Sequence, residues 1–554
     1  MMMKRYIKLC LLAVILLGTS CDHLDTRLDT QDTDETIGTG YSALFGFGYA
    51  PYSFLHSGFY TLDGNLFAAA TDEAENTDPG SDAQLFNLGA ISPYVNPDNP
   101  YSNNYNGIRA ANYFLENSED YKERLKLNRD TISESAQWQY QLDVLDIGWL
   151  RAESRVLRAY FYFDLVKRYG GVPLVTKVLN YGENTHLPRN SYDDIIDFIV
   201  REVDAVKDDL QEDWKEYDAG RDGRFTRGAA LALKSRALLY AASPLNNPDN
   251  DLEKWRKTAK AAYDLISLDQ YGFHPDYGSL FLGDNSTWSS ETILAVRLGG
   301  NNDLEKLNYP IGTPGGASGV TPSHNLAEAY EYLGTPDADN PYANRDPRFS
   351  ATIVHNNSTW NDRTMEIWPR GSDDPANLNT SRTGYYLKKF LNPSLNLTQD
   401  EKELHSWIVF RYAEIILNYA EAMNEAYGPD NDNGYGLSAR QAINQLRGRT
   451  GVGMPDVVAA NQTEMRGRIK HERQVELAFE DHRYWDLLRW KDAETVLNQP
   501  LKGIRIIRTG STFNYQVVEV ESRTFHAPRM YRYPVPIVEI NKSQGVLTQN
   551  EGWE

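Results

Sequence analysis

Cysteine is nearly absent from this chain of 554 residues, which contains only Cys10 and Cys21. Cys10 lies inside an N-terminal apolar run that we expect to be removed from the mature protein. No thiol remains after Cys21, which excludes a disulfide framework, a cysteine nucleophile and a cysteine metal site from the rest of the chain. A chain of this length buries a core large enough to fold without cross-links.

Positive charge and long hydrophobic runs are also scarce. The formal net charge is -21, whereas a protein that neutralises phosphate groups needs a basic surface. Nucleic acid is therefore not an expected partner. The apolar stretch 9–17 falls short of the ~20 residues of a membrane-spanning helix, and no later stretch approaches that length.

The sequence motifs of catalytic and metal sites are missing as well. The chain has no H-E-x-x-H zinc motif and no G-x-S-x-G nucleophile motif. The acidic segment 71–78 lacks the ligand spacing of a known calcium loop, so we interpret it as a solvated loop. The Gly-rich segment 312–319 has no lysine or helix start behind it that would bind phosphate. The sequence predicts no metal ion and no cofactor.

The N-terminus has the order of a bacterial lipoprotein signal peptide. Lys4, Arg5 and Lys8 precede the apolar run, and small residues at 18–20 lead directly to Cys21. This order predicts a signal peptide over residues 1–20 and a mature chain that starts at a lipidated Cys21. The alternative is an ordinary secretory peptide with an incidental cysteine.

Helical periodicity dominates several separated segments. Between 150 and 169, Leu157, Phe161 and Leu165 recur every four residues, and Gly170-Gly171 supplies the stop. Ser191 is a predicted N-cap of the next helix. Further helices are predicted at 226–242, 254–268, 408–427, 437–449 and 462–480. The pairs are similar to tetratricopeptide hairpins but lack a uniform period, so we expect a mainly α fold with a tetratricopeptide-like scaffold at about 105–270 and 408–490.

Two segments, about 60–105 and 271–405, interrupt this helical pattern. They are rich in Gly, Pro, Asn, Asp and Ser, with short strands predicted at 292–297 and 385–390. Long loops in a compact protein are usually functional or disordered, and the Trp and Tyr residues kept in these loops favour function. We expect ligand binding in this loop-rich region, within a single domain 21–554 whose C-terminal segment 491–554 packs on the scaffold.

One segment, 467–490, combines carboxylates and arginines on a predicted helix. The helical repeat places Glu472 and Glu476 on its apolar face. Such a pair is compatible with acid–base chemistry on a glycosidic bond. The other interpretation is a buried ion-pair network that fixes helix packing, because an unpaired buried charge is very costly. We favour the network.

Seven segments in a fixed order resemble the SusD/RagB family of outer-membrane nutrient-binding lipoproteins. They are the leader ending at Cys21, YNGIRAANYFL (105–115), RAESRVLRAYFYFDLVKRYGGVPLV (151–175), FTRGAALALKSRALLYAASP (225–244), FRYAEIILNYAEAMNEA (410–426), RIKHERQVELAFEDHRYWDLLRW (468–490) and YPVPIVEINKSQGVLTQNEGW (533–553).

The resemblance implies a fold, a location and partners. Family members carry an irregular region on a tetratricopeptide-like scaffold, sit on the outer face of the outer membrane through a lipid anchor, and cap a SusC-like TonB-dependent transporter. They capture oligosaccharides and perform no catalysis. Two alternatives remain open: a RagB-like protein that binds peptides or other nutrients, and a surface glycoside hydrolase.

The resemblance also indicates where ligand contacts would lie. Family members hold glycan on aromatic residues in the loop before the YNGIR-like segment and in the irregular region. Sugar C–H faces pack on such rings, while Asp, Asn and Arg side chains bond hydroxyl groups. The corresponding residues here are Asp72, Phe86, Asn87, Tyr94, Tyr309, Trp360, Trp368, Arg382 and Tyr385. A tryptophan common in the first loop has no counterpart between 60 and 105.

Overall fold

The computed structural model describes residues 40–127, 129–179 and 186–554. The predicted signal peptide 1–20 and the predicted lipidation site Cys21 lie outside the described residues. Over the part of the chain that is described, no helix is both long enough and apolar enough to cross a membrane.

The predicted mainly α fold is confirmed. Short 3₁₀ turns connect many of the α-helices. The α-helices of the described ranges are Tyr41–Tyr49, Ala83–Asn87, Tyr101–Asn117, Tyr121–Arg124, Glu134–Tyr169, Tyr192–Val206, Trp214–Asp218, Arg227–Ala242, Leu252–Ile266, Asn285–Trp288, Asp303–Asn308, His324–Ala329, Pro347–Thr352, Tyr412–Tyr427, Ala439–Arg447, Gln462–Glu476, Arg483–Trp490, Ala493–Val496 and Ile537–Lys542.

Local sequence signals set several helix ends. The helix Glu134–Tyr169 begins well before the predicted 150 and stops at Gly170, whose φ of 72° suits glycine. Ser191 caps the next helix in a reciprocal capping box with Asp194. Thr226 caps Arg227–Ala242 with a single hydrogen bond, which its side chain accepts from the backbone of Ala229.

Neighbouring helices pack against one another in groups. Tyr101–Asn117 and Tyr192–Val206 both pack on the long helix Glu134–Tyr169, and Leu252–Ile266 packs between Arg227–Ala242 and Tyr412–Tyr427. One large apolar cluster takes in residues from Phe59 to Trp553, and a smaller one gathers around Leu44 and Leu150. The helical scaffold and the irregular segments therefore share a continuous core.

The strands of the described residues form antiparallel pairs. Thr292–Asn301 pairs with Glu403–Arg411, and Leu501–Thr509 forms a hairpin with Thr512–Glu521. The shorter pairs are Ala74–Asn76 with Val320–Pro322, Ile353–Val354 with Tyr386–Leu387, and Thr359–Trp360 with Arg363–Thr364.

Two predicted helices need correction. The helix predicted from 408 begins at Tyr412, because the β-branched and aromatic residues at 407–410 extend along a partner strand. The single helix predicted over 467–490 is two helices, Gln462–Glu476 and Arg483–Trp490. Between them the chain leaves helical geometry at Phe479 and Asp481, whose φ angles are 66° and 59°.

Candidate ligand-binding site

The carboxylates of 467–490 lie in a buried ion-pair network. Glu476 is fully buried, with carboxylate oxygens 2.7 Å from Arg411, 2.8 Å from Arg348 and 3.0 Å from Arg449. Burial alone would raise the pKa of Glu476, but these three guanidinium groups lower it to about 2. Glu472 is 2.6 Å from Arg348 and 2.9 Å from Arg447.

This arrangement confirms the structural interpretation of Glu472 and Glu476. Each carboxylate is held by more than one guanidinium group in the protein core, where breaking a pair is costly. Neither side chain has the solvent contact that a catalytic acid or base needs to reach a sugar. The pair therefore fixes the packing of helices and strands.

Three of the expected ligand-binding aromatics are core residues. Tyr309 and Trp360 are 0% and 1% exposed and pack edge to face, with ring centroids 5.1 Å apart. Tyr385 is 1% exposed, and its hydroxyl lies 2.9 Å from His324. No ring face of these residues meets solvent.

Three more of the expected residues also pack inside the protein. Trp368 is buried against Phe513, with ring centroids 5.1 Å apart. Phe86 packs against Phe67. The Asn87 side chain donates to the carbonyl of Ala69, which fixes the loop backbone.

The remaining expected residues differ in exposure. Asp72 is buried and receives two hydrogen bonds of 2.8 Å from Arg483. Arg382 lies 2.7 Å from the buried Glu75, but 42% of its side chain is exposed. Tyr94 is 78% exposed on the surface loop. Of the nine residues, Tyr94 and Arg382 alone offer extensive side-chain surface to solvent, and ligand contact at all nine stays a prediction.

The structure contains a polar cleft of about 260 Å³ that the sequence analysis did not anticipate. It is lined by parts of 56–61 and 97–103, the C-terminal half of the helix Glu134–Tyr169, the strand residues 407–409 and the helix break at 480–482. Because these segments are far apart in sequence, no local motif marks the cleft. The nearest sequence signal for the cleft is the polar segment Glu480-Asp481-His482, which separates two apolar runs.

One wall of the cleft carries a compact charge cluster. Arg168 donates two hydrogen bonds of 2.9 Å to Asp98 and another to Asp164. Lys167 lies 2.8 Å from Asp164, and both cations sit 4.9 Å from the ring centroid of Trp485. These contacts hold the cations in place on an aromatic surface.

Asp481 is the cleft carboxylate without such partners. Its buried Oδ1 atom has no hydrogen-bond partner. Burial raises the pKa of Asp481 to about 7, and the charges of Asp98 and Asp164 add to the effect against the opposing influence of Lys167 and Arg168. An acid of this kind accepts a hydrogen bond when ionised and donates one when protonated.

Gly58 lies in the cleft lining, very close to the Trp407 ring and the Asp481 carboxylate. A Cβ atom at this position would lie 2.2 Å from the Trp407 ring and 2.7 Å from the Asp481 carboxylate. Only glycine fits this close approach. The backbone at 58 therefore shapes the cleft beside the unpartnered carboxylate.

The mouth of the cleft presents further hydrogen-bonding groups. His56 and Asn99 are exposed, and Tyr60 and Asn103 are half-buried. The His56 ring nitrogen lies 2.9 Å from the Asn103 amide nitrogen, and partial desolvation by the surrounding protein lowers the pKa of His56, which favours the neutral imidazole. Amide, imidazole and phenol groups beside aromatic rings suit a ligand with many hydroxyl groups.

The fold and the cleft define a class: a tetratricopeptide-like helical scaffold that carries a loop-rich region and an open polar cleft. Matches to known families agree. The SusD family model matches residues 286–553, and a model described as starch-binding and associating with the outer membrane matches residues 63–239. The chain belongs to the SusD/RagB family.

Individual relatives extend the likeness. A SusD-like protein of Formosa agariphila is 25% identical over 372 residues, covering 64% of this chain and 68% of the relative. The crystal structure of a SusD-like protein from Bacteroides fragilis is similar at a TM-score of 0.76 and 27% identity, covering 94% of this chain and 98% of that one. A SusD-like carbohydrate-binding protein from the same organism has a TM-score of 0.74 at 24% identity, covering 92% and 99%.

Proposed function

We propose that this protein is a cell-surface glycan-binding lipoprotein that captures oligosaccharides and delivers them to a SusC-like TonB-dependent transporter. The observation that carries the proposal is the pair of consecutive family matches, of which the one over 63–239 is described as starch-binding and outer-membrane associated. The carbohydrate-binding relative from Bacteroides fragilis supports the same ligand class.

Binding without catalysis suits the chemistry of the described residues. Glu472 and Glu476 are held in the ion-pair network, so they are not free to act on a glycosidic bond. The polar cleft and the exposed Tyr94 and Arg382 remain as surfaces for a hydroxyl-rich ligand. A site that only captures its ligand needs hydrogen bonds and ring surfaces but no proton donor matched to a leaving group.

Lipidation at Cys21 is the attachment we propose for this capture role. A diacylglycerol on the thiol together with an acylated amine would hold the chain firmly on a membrane. Anchored on the exterior face of the outer membrane, the protein would keep bound glycan beside the transporter. The net charge of -21 disfavours strongly acidic polymers as ligands.

A glycan array followed by titration calorimetry tests the proposal on residues 22–554. We expect saturable binding to at least one neutral polysaccharide and no new reducing ends after incubation. His56→Ala at the cleft mouth should weaken binding about 2- to 10-fold, the effect of losing one hydrogen bond. The matched control is His526→Ala, at an exposed histidine outside the cleft, and should leave binding unchanged.

The opposing results are equally concrete. A flat array over plant, host and microbial glycans, together with saturable binding of peptides, would replace glycan capture with RagB-like peptide capture. Release of new reducing ends by purified protein would make it a surface hydrolase.

A further inference from the structure

The ionic groups of the polar cleft do not balance. Two of its charged residues are neutralised from outside the cleft lining: Glu480 by Arg411 and Lys389, and Arg236 by Glu414. The rest are three carboxylates, Asp98, Asp164 and Asp481, and two cations, Lys167 and Arg168. When Asp481 is ionised, three negative charges against two positive charges leave the cleft one positive charge short.

The histidines of the cleft do not supply the missing charge. Desolvation lowers the pKa of His56 and, far more strongly, that of the buried His482, so both imidazoles are neutral at physiological pH. Arg236, Arg473 and Arg411 add to the effect on His482. The uncompensated negative charge therefore lies on Asp481, whose Oδ1 atom has no hydrogen-bond partner.

Asp481 lies where a positively charged group of a ligand can approach it. Its backbone is left-handed, with φ of 59°, in the break between two helices. Because Gly58 has no side chain, the Asp481 carboxylate and the Trp407 ring both lie directly against the backbone of residue 58. Ring, carboxylate and hydrogen-bonding groups thus face one volume of about 260 Å³, slightly below the range of drug-sized pockets and suited to one sugar ring.

We propose that the polar cleft selects an amino sugar with a free amine, whose ammonium group lies against Asp481 and restores the charge balance. The proposal rests on the proposed glycan-capture function and names the substrate class within it. A charge-assisted hydrogen bond from an ammonium group is about twice as strong as a neutral one. Lys167 and Arg168 repel the ligand little, since Asp98 and Asp164 already neutralise them.

The test compares three ligands that differ at one substituent: methyl glycosides of glucosamine, N-acetylglucosamine and glucose. Their affinities for residues 22–554 are measured by ligand-observed NMR at pH 7. We expect the glucosamine glycoside to bind at least ten-fold more tightly than the other two, with a preference that weakens as salt is added.

The variant Asp481→Asn keeps the shape of the side chain and removes its charge. It should reduce the preference to near unity while circular dichroism stays unchanged. The matched variant Asp249→Asn alters an exposed carboxylate outside the cleft and should keep the ten-fold preference.

Each contrary outcome has a distinct meaning. Equal affinities for the three glycosides, or a preference that survives in Asp481→Asn, would overturn the amino-sugar inference and leave glycan capture standing. Oligosaccharide binding with no binding of the glucosamine glycoside would overturn it too. Absence of binding to any glycan would remove the proposed function as well.

Discussion

Arg411 pairs with three carboxylates of the buried ion-pair network. It is 1% exposed and lies 2.7 Å from Glu291, 2.7 Å from Glu476 and 2.6 Å from Glu480. It also donates to the backbone carbonyl of Glu476 at the end of its helix. Arg411→Met keeps the apolar stem and removes the charge together with all of these hydrogen bonds.

The expected loss of stability depends on the cationic partners that the three carboxylates keep in Arg411→Met. Glu476 keeps Arg348 and Arg449, Glu480 keeps Lys389, and Glu291 keeps a longer contact of 3.4 Å to Arg449. No carboxylate is left entirely alone, but the network loses one positive charge without losing a negative one, so we expect the cost of breaking a buried pair, about 3–5 kcal/mol. With an unfolding entropy of about 2 cal/mol/K per residue, this corresponds to a Tm lower by roughly 3–5 °C.

Differential scanning calorimetry and urea titration measure this loss. Arg411→Lys should fall between the wild type and Arg411→Met, because an ammonium group restores the charge but not the planar fork. Arg256→Met is the matched control: its partner Glu253 is 57% exposed, and such a pair is worth about 1 kcal/mol or less. A Tm of Arg411→Met equal to that of Arg256→Met would refute the role given to the network.

Stability should also depend on pH in a defined way. Burial raises the pKa of Glu73 to about 8, so the folded state keeps a proton that the unfolded state loses above pH 4.5. The free energy of unfolding should therefore fall as the pH rises from about 5 to 8. Glu73→Gln should flatten this decline in urea titrations across that range, and an unchanged slope would contradict the assignment. For the loop surface, Tyr94→Ala should weaken oligosaccharide binding in calorimetry without unfolding the protein, because the Tyr94 side chain is 78% exposed, whereas an unchanged isotherm would remove Tyr94 from the site.

The helical scaffold was accessible from sequence because its signals are local. Ser191 caps a helix through Asp194, and Gly170 ends one through its positive φ, each within a few residues of the predicted position. The strand 403–411 was not accessible in this way. Its apolar run suits a helix or a strand equally, and pairing with the distant strand Thr292–Asn301 decides the outcome.

The candidate site was much less predictable. Tyr309 and Trp360 come from a loop-rich segment of the kind that often carries ligand contacts, yet they pack on each other as part of the core that this segment shares with the scaffold. The polar cleft brings together residues that are far apart in the sequence, such as Gly58 and Asp481. Tertiary packing brings such residues together, and neither hydrophobic periodicity nor a short motif predicts their contact.

The network and the cleft are linked through the helix break at 477–482. Arg411 binds both the terminal carbonyl of the helix at Glu476 and the carboxylate of Glu480. Lys389 donates to the carbonyl of Ala478 and pairs with Glu480. These cations satisfy carbonyls that a continuing helix would otherwise bond, and they stabilise the helix end here. Asp481 is the next residue, so the buried pairs that stabilise the core also determine where the cleft carboxylate lies.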